Sequence, residues 1–222
     1  DGGSAATVLT VLDSDDELVP AGARVVATDR AMQSGRDRAE IPTDVRAELR
    51  ALADRAREDG ASVVRTIQRD SGDLRVFVDG IEPAPDLILF GAQRDIHPVA
   101  RLGAEAGFRV TVASPRGGRA DSDQFPNAHR VRATHPTDIS EVVENPDRTY
   151  AVLLSHNLVD DRLALDSLLT DTDVPYVGLM GPRKRFEELR DAAAADGRTF
   201  SEAELDRIAT PVGLDLGDGT PT

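Results

Sequence analysis

Apolar residues along this chain follow one pattern in about the first eighty positions and another after them. In the first part, Val, Leu and Thr alternate with polar residues in short runs, which is typical of strands. A stripe at Val45, Leu49, Leu52 and Ala56 predicts a helix over residues 42–60, capped by Thr43 and ended by Gly60. The predicted strands are residues 6–12, 23–28, 63–67 and 74–78. This part is predicted to be a small α+β domain.

The segment EPAPD at residues 82–86 separates the two parts. Its two prolines lack backbone donors and bias the chain toward an extended form, as in a domain linker. The sequence therefore predicts an N-terminal domain at residues 1–82 and a C-terminal domain at residues 86–222.

Beyond the linker, short apolar runs alternate with helical patterns. The predicted strands are residues 87–90, 109–112, 130–133, 150–154 and 176–179, and the predicted helices are residues 98–106, 139–144, 162–169, 183–195 and 201–208. Such alternation indicates an α/β fold with a parallel sheet covered by helices. Parallel sheets bind ligands beyond the carboxyl ends of their strands, so functional residues are expected after Phe90, Val112, Leu154 and Leu179.

The charge of the chain is strongly acidic. Its formal net charge is −14, from 40 acidic and 26 basic residues, and Lys184 is the only lysine. Such a surface repels itself in dilute buffer, whereas at ~1 M salt the Debye length falls to ~3 Å. We therefore predict a halophilic protein, the alternative being an ordinary acidic protein from an arginine-rich genome. The same charge argues against nucleic acid as a partner.

Cysteine is absent from the chain, which excludes disulfides, cysteine nucleophiles and thiolate metal sites within it. No apolar run approaches the length of a membrane span and no signal peptide is visible, so we expect a cytoplasmic protein without a membrane partner. The chain begins at Asp1 and stops just after a helix-start pattern at Thr220 and Pro221, so both ends are expected to be incomplete.

The segment YVGLMGPRKR at residues 176–185 carries the clearest functional pattern. It predicts a buried strand, a glycine turn and a helix that opens with three cations. A helix N-terminus after such a turn is suited to anions, and Gly178 and Gly181 would let the backbone approach a ligand. The alternative is that Arg183 and its neighbours form a solvated helix face.

Six segments after the linker occur in an order that resembles the xanthine dehydrogenase accessory protein (XdhC/CoxI-type) family. They are LILFGA at 87–92, GFRVTV at 107–112, FPNAHRV at 125–131, YAVLLSHN at 150–157, YVGLMGPRKR at 176–185 and RIATPVGLDLG at 207–217. The N-terminal part is similar only loosely. The resemblance implies a Rossmann-like C-terminal domain behind a small N-terminal domain. It also implies an accessory role in maturing molybdenum hydroxylases, with molybdenum cofactor as ligand, the apo-enzyme as partner and a possible homodimer.

The loop after the first strand of the C-terminal domain departs from the family pattern GAGHVA. This chain has GAQRDI at residues 91–96, so Gln93 replaces the glycine that would let the backbone approach a diphosphate. Asp95 places a carboxylate where phosphate would lie, and Arg94 would offset part of its charge. Conventional NAD binding is therefore disfavoured.

The loop after the second strand also departs from the family, which usually has an acidic residue there. Ser114, Arg116 and Arg119 would suit a phosphate better than ribose hydroxyls, as in NADP or a pterin phosphate. The alternative is a solvated loop around Gly117 and Gly118.

A third departure concerns a glycine-rich motif that often holds cysteine in the family. The corresponding segment here is SGRDRAEIP at residues 34–42. This chain is therefore expected to bind or deliver a cofactor and not to carry its sulfur.

Two further segments supply candidate contacts. His156 would touch a ligand and Asn157 would offer its amide, unless this turn only caps local backbone; Asp215 would accept from a pterin ring, unless it closes a turn. Scattered histidines predict no metal site, and no catalytic residue is predicted. The candidate cofactor-binding residues are Gly91, Arg94, Ser114, Arg116, His156, Asn157, Gly178, Gly181, Arg183 and Asp215. The alternative functions are an NAD(P)-binding oxidoreductase and a ligand-free interaction protein that kept the fold.

Overall fold

The computed structural model describes residues 5–16, 18–34, 41–116 and 121–214. The chain divides into two compact units, Asp1–Pro83 and Ala84–Thr222. Each unit has its own core, and each is described by itself. The candidate residue Asp215 lies outside the described residues, as do Gly117, Gly118 and Arg119 and most of the segment at 34–42.

The first unit is an antiparallel sheet covered by one helix. Its strands follow the order β3-β2-β1-β5-β4, and α1 (Thr43–Asp59) packs on the face formed by alternate apolar residues of β1 and β5. The strands are β1 (Ala6–Ser14), β2 (Arg24–Ala27), β3 (Met32–Ser34), β4 (Val63–Ile67) and β5 (Leu74–Ile81). Gly60 ends α1 in the left-handed conformation, as predicted. The prediction that Thr43 caps α1 is wrong, because Pro42 holds the cap position and no side chain caps the helix.

The second unit is built on a parallel six-stranded sheet with the order β11-β10-β9-β6-β7-β8. The strands are β6 (Asp86–Phe90), β7 (Arg109–Ser114), β8 (Arg130–Ala133), β9 (Thr149–Leu153), β10 (Tyr176–Leu179) and β11 (Ile208–Ala209). Counted within this unit, the order is 3-2-1-4-5-6, which is that of dinucleotide-binding folds. The predicted Rossmann-like α/β class is confirmed, and the order reverses between β6 and β9.

Helices cover both faces of this sheet. One face packs against α2 (Ile96–Glu105), where the absence of a side chain at Gly103 lets the helix approach Leu87. The other face packs against α3 (Leu158–Asp171) and α4 (Arg183–Ala195), through Leu165, Leu168 and Leu189. None of the helices among the described residues is long and apolar enough to cross a membrane.

Two predicted helices differ from the structure, and β3 is a strand that the sequence did not predict. The helix predicted at 139–144 is a 3-10 helix, Pro136–Val142, which begins at a proline and packs on α3. The helix predicted at 201–208 shortens to α5 (Glu202–Leu205), because the chain then extends into β11 alongside β10. β3 was not predicted, since a three-residue strand carries too little alternation to recognise.

Candidate functional site

The candidate site lies at the carboxyl edge of the parallel sheet, where the loops after β6 and β9 meet. Gly91 follows β6 with φ 151°, and a Cβ atom placed on it would lie 2.5 Å from the carbonyl oxygen of Leu154. The glycine is therefore needed for the close approach of two loop backbones, and that space is occupied by protein.

Two backbone donors near the start of α2 are unavailable to a ligand. The amide of Ile96 donates to the carbonyl oxygen of Gln93 at 3.2 Å, and Pro98 has no N–H in the first turn of α2. No side chain caps this helix. Arg94 is exposed and has no hydrogen-bond or ion-pair partner among the described residues.

Asp95 contacts His156 across the point where the strand order reverses. The Nε2 atom of His156 lies 2.5 Å from Oδ2 of Asp95, joining the loop after β6 to the loop after β9. The other carboxylate oxygen, Oδ1, is buried and has no hydrogen-bond partner. His156 has φ 60°, a conformation that non-glycine residues seldom adopt. Both partners are therefore held in unfavourable states by their surroundings.

The buried carboxylate of Asp161 holds the loop that carries His156. Asp161, whose side chain is 1% exposed, accepts from the hydroxyl of Ser155 at 2.5 Å and from its amide at 3.2 Å. Its second oxygen accepts from Nη2 of Arg185 at 2.7 Å. The loops after β9 and β10 are thus tied together by one ion pair, which also turns Arg185 inward.

Asn157 holds the N-cap position of α3. Its Oδ1 atom accepts from the amides of Val159 and Asp160 at 2.9 and 3.1 Å. The structure therefore shows the capping role that the sequence left open for Asn157, and the side-chain oxygen is used within the protein.

Ser114 is fully buried at the end of β7. Its hydroxyl donates to the carbonyl oxygen of Arg116 at 3.0 Å and accepts from the amide of the same residue at 3.2 Å. These bonds close a local turn, so the hydroxyl proton of Ser114 is used within the protein. Arg116 is exposed beside it.

Gly178 and Gly181 both make room for protein atoms. A Cβ atom on Gly178 would lie 2.6 Å from Cγ2 of Val212, so this glycine is covered by the segment after β11. Gly181 has φ 119°, and a Cβ atom there would lie 2.6 Å from Cδ of Arg185. At both positions, protein atoms fill the space that a side chain would take.

The N-terminus of α4 remains open and positively charged. Pro182 holds the cap position, no side chain caps the helix, and the amide of Arg185 donates to the carbonyl oxygen of Pro182. Arg183 is exposed. The side chain of Lys184 is 82% exposed, and its Nζ atom lies 3.8 Å from Oε1 of Glu188. Backbone amides and two cations therefore lie at the same end of the helix axis, as an anion requires.

The structure brings four of the predicted residues to the edge formed by β6, β9 and β10: Gly91, His156, Asn157 and Gly181. Arg94 and Arg183 lie in the loops that flank this edge. Sequence reasoning missed Asp161, whose role depends on burial, and Thr210, whose Oγ1 is buried without a partner after β11. Among the described residues, no three His, Asp or Glu side chains lie together as metal ligands.

Comparison with known proteins agrees with this architecture. The family model described as the XdhC Rossmann domain matches residues 87–222, which is more than half of the chain. The chain belongs to the XdhC family. It is 30% identical over 146 residues to a protein of Bacillus subtilis (strain 168) that is named as a probable subunit of xanthine dehydrogenase. That alignment covers 66% of this chain and 41% of the relative, so the XdhC chain spans less than half of that protein.

A solved structure, described as a xanthine dehydrogenase from Bacillus halodurans, has the same fold as this XdhC chain. The TM-score is 0.51 and the sequence identity is 13%, over 96% of this chain and 86% of the other. At this identity the similarity concerns the fold alone.

Proposed function

We propose that this chain is an accessory protein in the maturation of a molybdenum hydroxylase, without turnover of its own. It binds molybdenum cofactor, or a related phosphate-bearing ligand, as cargo at the carboxyl edge of its parallel sheet. The observation that carries the proposal is the uncapped, cationic N-terminus of α4 at this edge, in a chain of the XdhC family. The names of the relatives, which refer to xanthine dehydrogenase, support the choice of client enzyme.

The residues at this edge fit the phosphate end of such a ligand. Arg183 has no ion-pair partner among the described residues, and the first turn of α4 presents backbone amides beside it. In an acidic chain, exposed cations at a helix N-terminus form a local exception to a surface that otherwise repels anions. The cofactor would bring its molybdenum centre as the cargo for the client.

The chain's own chemistry favours binding and delivery over sulfur transfer. It contains no cysteine, so no thiolate of this chain forms a persulfide. The NADP-binding alternative depends on the loop at residues 114–119, in which Ser114 uses its hydroxyl within its own turn. Residues 117–119 of this loop lie outside the described residues.

The proposal is tested by titrating the protein with molybdopterin in a high-salt buffer and following the bound fraction by native mass spectrometry. We expect binding, and we expect Arg183→Ala to weaken it at least tenfold, since one charge-assisted contact contributes about 1.5–3 kcal/mol. Arg190→Ala is the matched control, because Arg190 is exposed on the same helix but lies two turns from its start.

Absence of binding at high salt, or equal binding by wild type and Arg183→Ala, would count against a cofactor site. A pull-down with the client hydroxylase then separates the alternatives. Capture of the hydroxylase without any cofactor binding would identify a ligand-free interaction protein.

A further inference from the structure

We propose that Asp95 and His156 determine the class of ligand that this edge accepts. They exclude molecules in which two nucleotides are joined by a diphosphate, and they leave room for a ligand with one phosphate. The single-phosphate part rests on the proposed function, since it places that phosphate at α4. The exclusion of dinucleotides rests on the contact between Asp95 and His156 itself.

The position of Asp95 is the first argument. In folds with this strand order, the diphosphate lies at the N-terminus of the helix that follows the first strand. That helix is α2, and Asp95 holds its cap position without capping it. Two ionised groups ~4 Å apart repel each other in water, and they repel more strongly near protein. Arg94 offsets one negative charge, whereas a diphosphate would bring at least two.

The backbone of this loop gives the second argument. A diphosphate is held mainly by amides of the glycine loop and the first helical turn. Here the Ile96 amide is bonded to Gln93, Pro98 has no amide hydrogen, and the space beside Gly91 is filled by the carbonyl of Leu154. Two donors near the start of α2 are therefore unavailable to compensate for the charge of Asp95.

The Asp95 carboxylate is also fixed in this place. His156 holds Oδ2, and the loop of His156 is itself held by Ser155, Asp161 and Arg185. The cap formed by Asn157 anchors the same loop to α3. Asp95 cannot turn away from the diphosphate position without breaking its contact with a loop that has little freedom to follow.

Together, these features select which ligands bind at this edge of the sheet. A buried carboxylate oxygen without a partner has a free-energy cost, and the left-handed conformation at His156 adds a second cost. Such costs are concentrated at functional sites, and here both lie at the point where a dinucleotide would cross the sheet. The remaining anion position, at Arg183, accommodates one phosphate.

The test measures NAD binding by isothermal titration calorimetry in about 2 M KCl, where surface charges are screened. Wild type is expected to bind NAD weakly or not at all. Asp95→Asn keeps the size of the side chain and removes its charge, and it is expected to bind NAD at least tenfold more tightly. Adding Gln93→Gly to this variant should strengthen binding further, because it restores close backbone approach.

Two controls separate this device from a general charge effect. Asp160→Asn removes a carboxylate from the first turn of α3 and should leave NAD binding as in wild type. His156→Asn tolerates the left-handed backbone but releases the Asp95 carboxylate without removing its charge, so it should gain NAD binding, though less than Asp95→Asn does. Circular dichroism establishes that each variant is folded, and Asp95→Ser replaces Asp95→Asn if the latter unfolds.

The proposal is overturned if NAD binds wild type as tightly as the Asp95 variants, or if no Asp95 variant gains NAD binding. Its failure is distinguishable from that of the proposed function. A gain of NAD binding at Asp95 with no effect of Arg183→Ala on molybdopterin would leave the exclusion intact and remove the phosphate site at α4.

Discussion

Asp161 and Arg185 form an ion pair that joins α3 to α4 beneath the loop of His156. Their Oδ2 and Nη2 atoms are 2.7 Å apart, and the pair is asymmetric in exposure, with 1% of the Asp161 side chain and 22% of the Arg185 side chain accessible. A guanidinium in this position can regain some water if its partner is removed. The carboxylate cannot, and it depends on Arg185 for its counter-charge.

Replacing Arg185 should therefore lower the free energy of unfolding more than replacing Asp161 does. We expect Arg185→Met to lower the free energy of unfolding by about 3–5 kcal/mol, because it leaves a buried carboxylate without a cation. Asp161→Asn should cost less, since Asn still bonds to Ser155 and Arg185 can turn to solvent. Urea denaturation in high salt measures both. Equal costs would contradict the asymmetry, and Arg183→Met serves as the control for an exposed cation of the same helix.

Gly91 should tolerate substitution far less well than another glycine with positive φ. Gly91→Ala places a methyl group 2.5 Å from the carbonyl oxygen of Leu154, so the loops after β6 and β9 must separate. Gly107→Ala is the matched control, because its φ is 93° and no atom lies within 4 Å of the added methyl. We expect a loss of about 1 kcal/mol for Gly107→Ala, from backbone conformation alone, and roughly 2–4 kcal/mol for Gly91→Ala. Similar thermal stabilities for the two variants would refute the close approach.

Glu204 should make a pH-dependent contribution to stability. Its hydrogen bond with Arg198, aided by bonds from Ser201, lowers its pKa to about 2 from an ordinary value near 4.5. Because the folded-state pKa is depressed, the stabilisation is complete above about pH 5 and is lost as the pH falls toward 2. Glu204→Gln should therefore be less stable than wild type by about 1–3 kcal/mol at pH 7, with a smaller difference at pH 3.

Glu202→Gln provides the control for this measurement, because Glu202 lies in the first turn of the same short helix and is exposed. Urea unfolding of the three proteins at several pH values is the experiment. A difference between wild type and Glu204→Gln that does not change with pH would show that the Arg198 contact has no electrostatic component.

Folding should depend strongly on salt concentration. The net charge of −14 produces repulsion that is screened over ~10 Å at 0.1 M salt and over ~3 Å at 1 M. We expect circular dichroism to show loss of structure near 0.1 M KCl and full folding near 3 M. The double variant Glu187→Gln/Asp191→Asn, which removes two exposed charges of α4, should fold at lower salt. A wild-type protein that is fully folded at low salt would refute the halophilic prediction.

Strong local signals in the sequence were sufficient to predict most of the fold. Residues 63–67, 130–133, 176–179 and 183–195 are predicted with the bounds that the structure shows, because turn-forming residues lie close to their ends. The short strands β3 and β11 lack such signals. They exist only because they pair with β2 and β10, and this pairing is a tertiary effect that local sequence does not encode.

The candidate site was predictable in location but not in its internal contacts. Asp95 and His156 are 61 positions apart, and nothing in either local motif indicates that one contacts the other. Ser114 was chosen for its hydroxyl, whereas burial at the end of β7 directs that group to its own backbone. The choice between ligand contact and helix cap at Asn157 likewise required the geometry of α3.

The inward turn of Arg185 has a consequence for how the segment GPRKR can change. Because each residue turns an α-helix by about 100°, Arg183 and Arg185 point in directions roughly 200° apart. Because of this spacing, Arg183 faces solvent and Arg185 faces the interior. Deleting a single residue after Pro182 would rotate the rest of the helix by about 100°. Asp161 would then lack its counter-ion, although the segment would still be rich in cations. Insertions and deletions should therefore be far more damaging here than exchanges among cations at the exposed positions.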